Sequence, residues 1–474
     1  MKPLKKPKIG LAGVMCTPFR GNKEENYLSH QAALEELAIA YDFDFFAVSD
    51  GIYSAVQAAE AAKKLDDWGA DFVILQASSF AGGDFIYPFA ELSALLGIWA
   101  VPEGAPGPGG GLPLNSFTAA NLYNSILRTN LTGYRKPVKW FFGNPGQALF
   151  DERLRITVQA LRALINLRGA RVGLVGGVAP GFDNLIIDEQ KLKERLGISV
   201  VNIAFEEALQ RSQQVSVDAA SSIASEIRSS AAEFDTGLEG ALQKTGSTTV
   251  AMYDLADKYN LQALAISCWP RFQSENHLAV CTMMGYLNTQ GLIAACEGDI
   301  PSAVSMLALR GLTNADVITL MDLVTVDPND ESVLFWHCGP TSPALADHRG
   351  ARLESLWLFD QPGREPIGLH NDLVLKPGLA TVLGFTTDFE RMLIIDGQMD
   401  PAKPSYTGSR GWMKSLRLNQ QSVSVPELIQ TLMVSGFQHH YPFAYGSIAD
   451  SGLELCAWLG ISAISKEQYT PYVR

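Results

Sequence analysis

The chain contains no CxxC pair. Its six cysteines, at positions 16, 268, 281, 296, 338 and 456, are scattered singly through 474 residues. That spacing excludes a structural zinc knuckle and supplies no disulfide frame. Reduced thiols in a cytoplasmic protein are therefore expected, several of them acting as small core residues. Long apolar runs are also missing: none approaches the roughly 20 residues of a membrane-spanning helix. The short apolar stretch after the N-terminal lysines is too brief for a signal peptide. Positive charge is scarce, with 37 Lys+Arg against 50 Asp+Glu and a net charge of -13. Nucleic acid and anionic membranes need a local basic excess, so both are excluded as partners. The one basic cluster, KPLKKPK, reads as a solvated arm. There is no GxGxxG and no Walker motif; GGVAPG at 176–181 is a tight strand-to-helix turn, which leaves a nucleotide site unsupported.

What remains is an ordinary globular composition, 47% hydrophobic and 18% charged. The length exceeds what one core serves, so about two to four domains are expected. Apolar strand-like runs at 7–14, 44–50, 71–79 and 95–104 alternate with amphipathic helices, the rhythm of βαβ units on a parallel sheet. A long helix over about 150–168 leads to ARVGLVGG, where the rhythm restarts. Residues 204–244 are polar and read as helical, and LQALAISCWP (261–270) as a buried strand. From about 317 the texture becomes β-rich with turn signals. The expected fold is α/β: two Rossmann-like parallel-sheet domains, residues 1–170 and 171–316, followed by a β-rich, mainly antiparallel C-terminal domain, residues 317–474.

Chemistry concentrates in Cys296-Glu297-Gly298-Asp299, two carboxylates that follow an apolar run and precede an apolar-periodic segment. A carboxylate there pays for desolvation and wants a partner, often a metal or a substrate. Equally, Glu297 or Asp299 can cap a helix beginning near Pro301. Asp322, in LMDLVTV, needs either a salt bridge or a ligand role. His337 is either a satisfied core histidine or a ligand. His439 and His440 are adjacent, so in a strand only one of them normally faces a site. Carboxylates with imidazole suit a divalent, Mn²⁺-like ion.

Five segments in order carry a resemblance: SCWPxF (267–272), GxxAACEGDxxxAxxM (291–306), Met321-Asp322, HCGP (337–340) and HHxxxxYG (439–446). The set resembles the L-fucose isomerase and L-arabinose isomerase superfamily over nearly the whole chain. The resemblance implies an aldose-ketose isomerase that works through a metal-stabilised enediol. It implies Mn²⁺, or another divalent cation such as Mg²⁺ or Co²⁺, on Glu297, Asp322 and His440. The two carboxylates, Glu297 and Asp322, are then the expected catalytic acid and base, one of them relaying the proton between C1 and C2. His337 matches a further histidine of the arabinose branch, whereas Asp322 is the residue of the fucose branch, so the chain is a hybrid. The resemblance also implies a homo-oligomer, a hexamer or a dimer or trimer, with the site shared between subunits. Phe80, Arg20, Asn124 and Arg128 are its substrate-side candidates in the N-terminal domain, and Trp269 and Gln273 in the central one. The substrate expected is a pentose or a 6-deoxy or 6-substituted hexose, including sulfoquinovose. The alternative is a non-catalytic sugar-binding or regulatory protein.

Overall fold

The structure, a computed structural model, describes residues 3–314, 317–356, 358 and 367–467. Residues 315 and 316, where the sequence places the end of the central domain, lie outside the described residues, as do the last residues of the third. Two compact units divide between Ile165 and Asn166. The central and C-terminal parts expected from the sequence both fall in the second unit.

The first unit holds strands β1 (Lys8–Val14), β2 (Asp44–Ala47), β3 (Phe72–Ala77), β4 (Leu95–Ala100) and β5 (Val138–Phe142). All pair parallel, in the order β2-β1-β3-β4-β5. Runs such as FVILQA and LLGIWA are apolar almost throughout because helices cover both faces of the sheet, and every residue of β3 and β4 is buried. The order is that of a doubly wound sheet.

The second unit begins with a smaller parallel sheet of β6 (Arg171–Val175), β7 (Ser199–Ile203), β9 (Ala263–Ile266) and β10 (Ile293–Ala295), ordered β10-β9-β6-β7. Between β7 and β9 the polar stretch is not one helix. It breaks into Phe205–Gln214 and Val217–Ser230, then a short strand β8 (Glu233–Phe234), then Glu239–Tyr259. Ser216 starts the second helix by accepting from Ala219 N–H. The third helix continues past the expected end because its threonines are satisfied inside it: Thr245, Thr248 and Thr249 each donate to a carbonyl four residues back.

The β-rich part contains β11 (Thr319–Asp327), β12 (Ser332–His337), β13 (Arg352–Ser355), β14 (Leu369–Val374), β15 (Gly378–Phe385), β16 (Arg391–Asp400), β17 (Ser409–Leu418), β18 (Gln421–Ser422), β19 (His440–Tyr445) and β20 (Ser462–Ala463). The path β16-β15-β19-β11-β12-β17 is antiparallel at every step, and β16 also pairs with β17, so six strands close into a barrel. Alternate residues fill its interior, among them Met321, Phe335, Met413 and Tyr441. Their neighbours Asp322, Trp336 and His440 therefore point outward.

Helix Ile300–Thr313 joins the two sheets. Residues 300–312 are all buried, which is why IPSAVSMLALRGL carries no polar face. It packs on β6, β9 and β10 on one side and on β15 and β19 on the other. The end of β10 is thereby brought against the outside of the barrel at β19.

Candidate functional site

The acidic loop follows β10, at the C-terminal end of a parallel strand, where α/β sheets place ligands. Glu297 has φ 59° and Gly298 φ 74°, both left-handed. A non-glycine residue held in that region is uncommon and is kept there by its surroundings. Those surroundings are the GGVAPG turn. Ala179 N–H donates to Glu297 O at 2.9 Å, and Gly298 N–H to Ile266 O at 3.0 Å. A Cβ on Gly298 would lie 2.3 Å from Gly177 O, so only glycine allows the two turns to touch. The turn that held no nucleotide fingerprint thus positions Glu297.

Asp299 is fully buried and does two things. It is the N-cap of Ile300–Thr313, accepting from Ser302 N–H at 2.8 Å, and its other oxygen lies 2.7 Å from His440 Nδ1. An ionised carboxylate only accepts, so His440 carries its hydrogen on Nδ1 and turns the Nε2 lone pair outward. Burial opposes the charged form of His440, but the hydrogen bond and charge of Asp299 outweigh it and raise its pKa. His440 Nε2 faces Glu297 Oε2 at 3.6 Å and Asp322 Oδ1 at 3.8 Å, both too long for hydrogen bonds. Asp322 stands directly opposite His440 in the β11–β19 ladder. Among the described residues no Lys or Arg pairs with Asp322, and its buried Oδ1 has no hydrogen-bond partner.

Two carboxylate oxygens, Glu297 Oε2 and Asp322 Oδ1, therefore approach His440 Nε2, and the Glu297 oxygen is also within 3.0 Å of His439 Nε2. Hard oxygens with an imidazole suit a divalent ion of the Mn²⁺ or Mg²⁺ kind. The residues fit the metal that the resemblance implies. Asp299 behind His440 is the carboxylate–histidine arrangement that orients metal-ligating imidazoles.

Both adjacent histidines reach Glu297, which strand alternation alone does not allow. The reason is that β19 begins at His440, and His439 lies just outside it. His439 Nε2 is 3.0 Å from Glu297 Oε2, its Nδ1 is 3.3 Å from Asn184 Nδ2, and its ring lies 5.5 Å from that of Phe182. Burial lowers the pKa of His439, and the Glu297 hydrogen bond and charge more than reverse that.

His337 sits beside this group with its Nε2 3.1 Å from Cys296 Sγ. Its Nδ1 accepts the Cys338 N–H at 2.8 Å, so the neutral ring carries its hydrogen on Nε2, facing the sulfur. Cys296 and Cys338 are both held as thiols. The Cys268 contact, then burial, raises the pKa of the first; the Cys281 contact, then burial, raises that of the second. Cys296 Sγ also lies 3.5 Å from His440 Nε2; the close groups of metal-capable atoms among the described residues are Glu297, His439 and His440, and Cys296, His337 and His440, with Asp322 in neither.

Gln273 donates to Cys268 O at 2.9 Å and keeps a buried Oε1 without a partner. Trp269 is 42% exposed on the loop after β9. Arg20, Phe80, Asn124 and Arg128 belong to the first unit. There the Phe80 ring lies 5.9 Å from that of Phe19, and Asn124 Nδ2 bonds Ala120 O at 3.0 Å within its own helix. Arg20 is exposed after β1, and Arg128 lies in the helical turn Ile126–Asn130. Sequence reasoning missed Asn184 and Phe182, for which no motif exists, and Cys296, which it read only as part of CEGD.

No family profile matches the chain. It is 28% identical over 398 residues to a sulfoquinovose isomerase of Priestia megaterium, covering 82% of this chain and 84% of that protein. It is 29% identical over 387 residues to a sulfoquinovose isomerase of Alkalicoccus urumqiensis, covering 80% and 82%. A sulfoquinovose isomerase of a Clostridium species matches at 25% over 364 residues, covering 75% and 77%. A solved solute-binding protein of Actinobacillus succinogenes with bound D-allose overlays at a TM-score of 0.18 and 13% identity, covering 65% of this chain and 92% of that one. That likeness carries no argument. No described helix is long and apolar enough to cross a membrane.

Proposed function

We propose that this protein is a metal-dependent aldose-ketose isomerase whose substrate is sulfoquinovose, a hexose bearing a sulfonate at C6. The observation that carries the reading is the convergence of Glu297 Oε2 and Asp322 Oδ1 on the Nε2 lone pair of His440, with Asp322 Oδ1 left without a donor. The similarity to sulfoquinovose isomerases over four-fifths of the chain supports the same reaction. The combination of segments that resembles the fucose and arabinose isomerases supports it as well.

Glu297, Asp322 and His440 would hold a divalent ion such as Mn²⁺, which when bound supplies Lewis-acid stabilisation of negative charge on the sugar's O1 and O2. The chain's own residues do the rest. One of the two carboxylates takes the C2 proton of the open-chain aldose, leaving an enediol. The same group returns that proton to C1, while a proton passes from O2 to O1, and the ketose results with no net gain or loss. His439 fixes the Glu297 carboxylate by its 3.0 Å contact, and Asp299 fixes the His440 ring. The unpartnered Oε1 of Gln273 is free to accept from a sugar hydroxyl. The active species is a homo-oligomer that works in the cytoplasm.

The test is conversion of sulfoquinovose to its ketose by the purified protein with Mn²⁺, with and without EDTA. Activity that disappears with EDTA and returns with Mn²⁺ is expected. Glu297→Gln is expected to lower turnover by about 10²–10⁴-fold. Unchanged turnover in that variant with metal still bound would sink the assignment, and tight sugar binding with no turnover under any metal would favour a sugar-binding protein.

A further inference from the structure

The barrel's register places a second functional group on the same outer face as the acidic cluster. Residues directly opposed in antiparallel neighbours share a face. His440 opposes Asp322, Asp322 opposes Trp336, and Trp336 opposes Arg410. One row thus runs His440–Asp322–Trp336–Arg410 across β19, β11, β12 and β17. At about 4.8 Å per strand, Arg410 stands about 10 Å from Asp322 along that row. That is the span between the reacting end of an extended six-carbon sugar and a charged group on its far carbon.

Arg410 is built to be used from one side. Its Nη1 donates to the buried Asp372 and to Gly408 O, the latter at 2.6 Å. Asp372 is held in turn by Gly408 N–H at 2.8 Å and by Arg352 at 2.9 Å. The opposite edge of the guanidinium, Nε with Nη2, makes no hydrogen bond among the described residues, and Nε is buried. A buried donor without a partner calls for a ligand or a functional explanation. The Nε/Nη2 edge is the fork that takes carboxylate, phosphate or sulfonate oxygens two at a time. Between the two ends lies Trp336, whose Nε1 is tied to Thr407 O at 2.8 Å, leaving the indole to offer apolar surface. Gly408, at φ 130°, packs against that indole where a Cβ would lie 2.7 Å from Nε1. One turn, Thr407–Gly408, therefore fixes both Trp336 and Arg410.

The row carries a buried acceptor without a donor at Asp322 and a buried donor without an acceptor at Arg410. We propose that Arg410 is the specificity residue for the substrate's terminal oxyanion, gripping the sulfonate through Nε and Nη2 while the carbon chain lies along Trp336 toward Asp322 and His440. The inference rests on the isomerase reading for the identity of the ligand, and its test is chosen to separate the two.

The direct measurement is equilibrium binding of sulfoquinovose and of 6-deoxyglucose, the same sugar without the sulfonate, to the Mn²⁺-loaded full chain. Wild type is expected to bind the sulfonated sugar at least tenfold more tightly. Arg410→Gln and Arg410→Lys are expected to lose that preference, and the lysine variant keeps a cation for Asp372 if the glutamine variant does not fold. In turnover, KM for sulfoquinovose is expected to rise at least tenfold with kcat little changed. Footprinting of the wild type with an arginine-selective dicarbonyl needs no variant: Arg410 is expected to be protected by sulfoquinovose and not by 6-deoxyglucose. Equal binding of both sugars by wild type, a preference that survives in the variants, or no protection of Arg410 would each overturn the inference. Sulfoquinovose held through Arg410 without turnover would uphold it and overturn the isomerase reading; turnover with unaltered KM in both variants would do the reverse.

Discussion

Glu297 and Asp322 approach the same imidazole nitrogen, yet one is carried by a loop and the other by a sheet. Glu297 depends on a left-handed backbone, a glycine in contact with another glycine's carbonyl, and a turn from a different βα unit. Asp322 depends on strand register and on barrel closure, which set its face just ahead of a register shift between Leu323 and Thr325 in the β11–β12 ladder. The loop side is held by few and exacting contacts. The barrel side is held by a ladder of backbone hydrogen bonds that side-chain changes leave intact. Substitutions on the two sides should therefore fail differently: on the barrel side they abolish chemistry and spare stability, and on the loop side they lower both.

Asp322→Asn offers the sharpest contrast. It is expected to reduce turnover by about 10²–10⁴-fold. Its denaturation midpoint is expected to stay close to that of wild type, because Asp322 Oδ1 makes no hydrogen bond. A clear fall in the urea midpoint would break the comparison. Gly298→Ala comes next. The left-handed φ and the clash with Gly177 should lower stability by about 1–3 kcal/mol, read from urea unfolding, with turnover falling alongside. Full activity and stability would show that the two turns are not mutually fixed.

Asp299→Ala is expected to remove a helix cap, lowering stability by about 0.5–2 kcal/mol. It also frees the His440 ring, and Mn²⁺ affinity should drop by about 10–100-fold in a metal titration. Asn184→Ala is the mildest. It removes one 3.3 Å contact to His439, and a change in kcat/KM of less than tenfold is expected, since a single such bond contributes about 0.5–1.5 kcal/mol.

Much of this was visible in the sequence. The βα rhythm and the β-rich texture after 317 announce parallel sheets followed by an antiparallel part, because burial on two faces and on one face leave different residue patterns. CEGD announces itself as two carboxylates at the end of an apolar strand, and its two acids divide as the structure requires: Asp299 caps and braces, Glu297 faces the cluster. The helix over 239–259 was less legible because buried threonines look strand-like until their hydroxyls are seen bonding the preceding turn. The position of His439 hinged on whether the strand starts one residue earlier, which local pattern does not resolve. Arg410 carried no motif at all.

The sequence by itself determined the chemistry available: which acids and imidazoles exist, and which strands and helices present them. Those are local properties, set by side-chain type and by periods of two and 3.6 residues. Only the tertiary structure decided which of them meet. Strand alternation says that Asp322, Trp336, Arg410 and His440 each lie on some face. That it is one face, and one row, follows from the closure of six strands whose order is not their order in the chain. Helix Ile300–Thr313, buried between the two sheets, then sets Glu297 against that row.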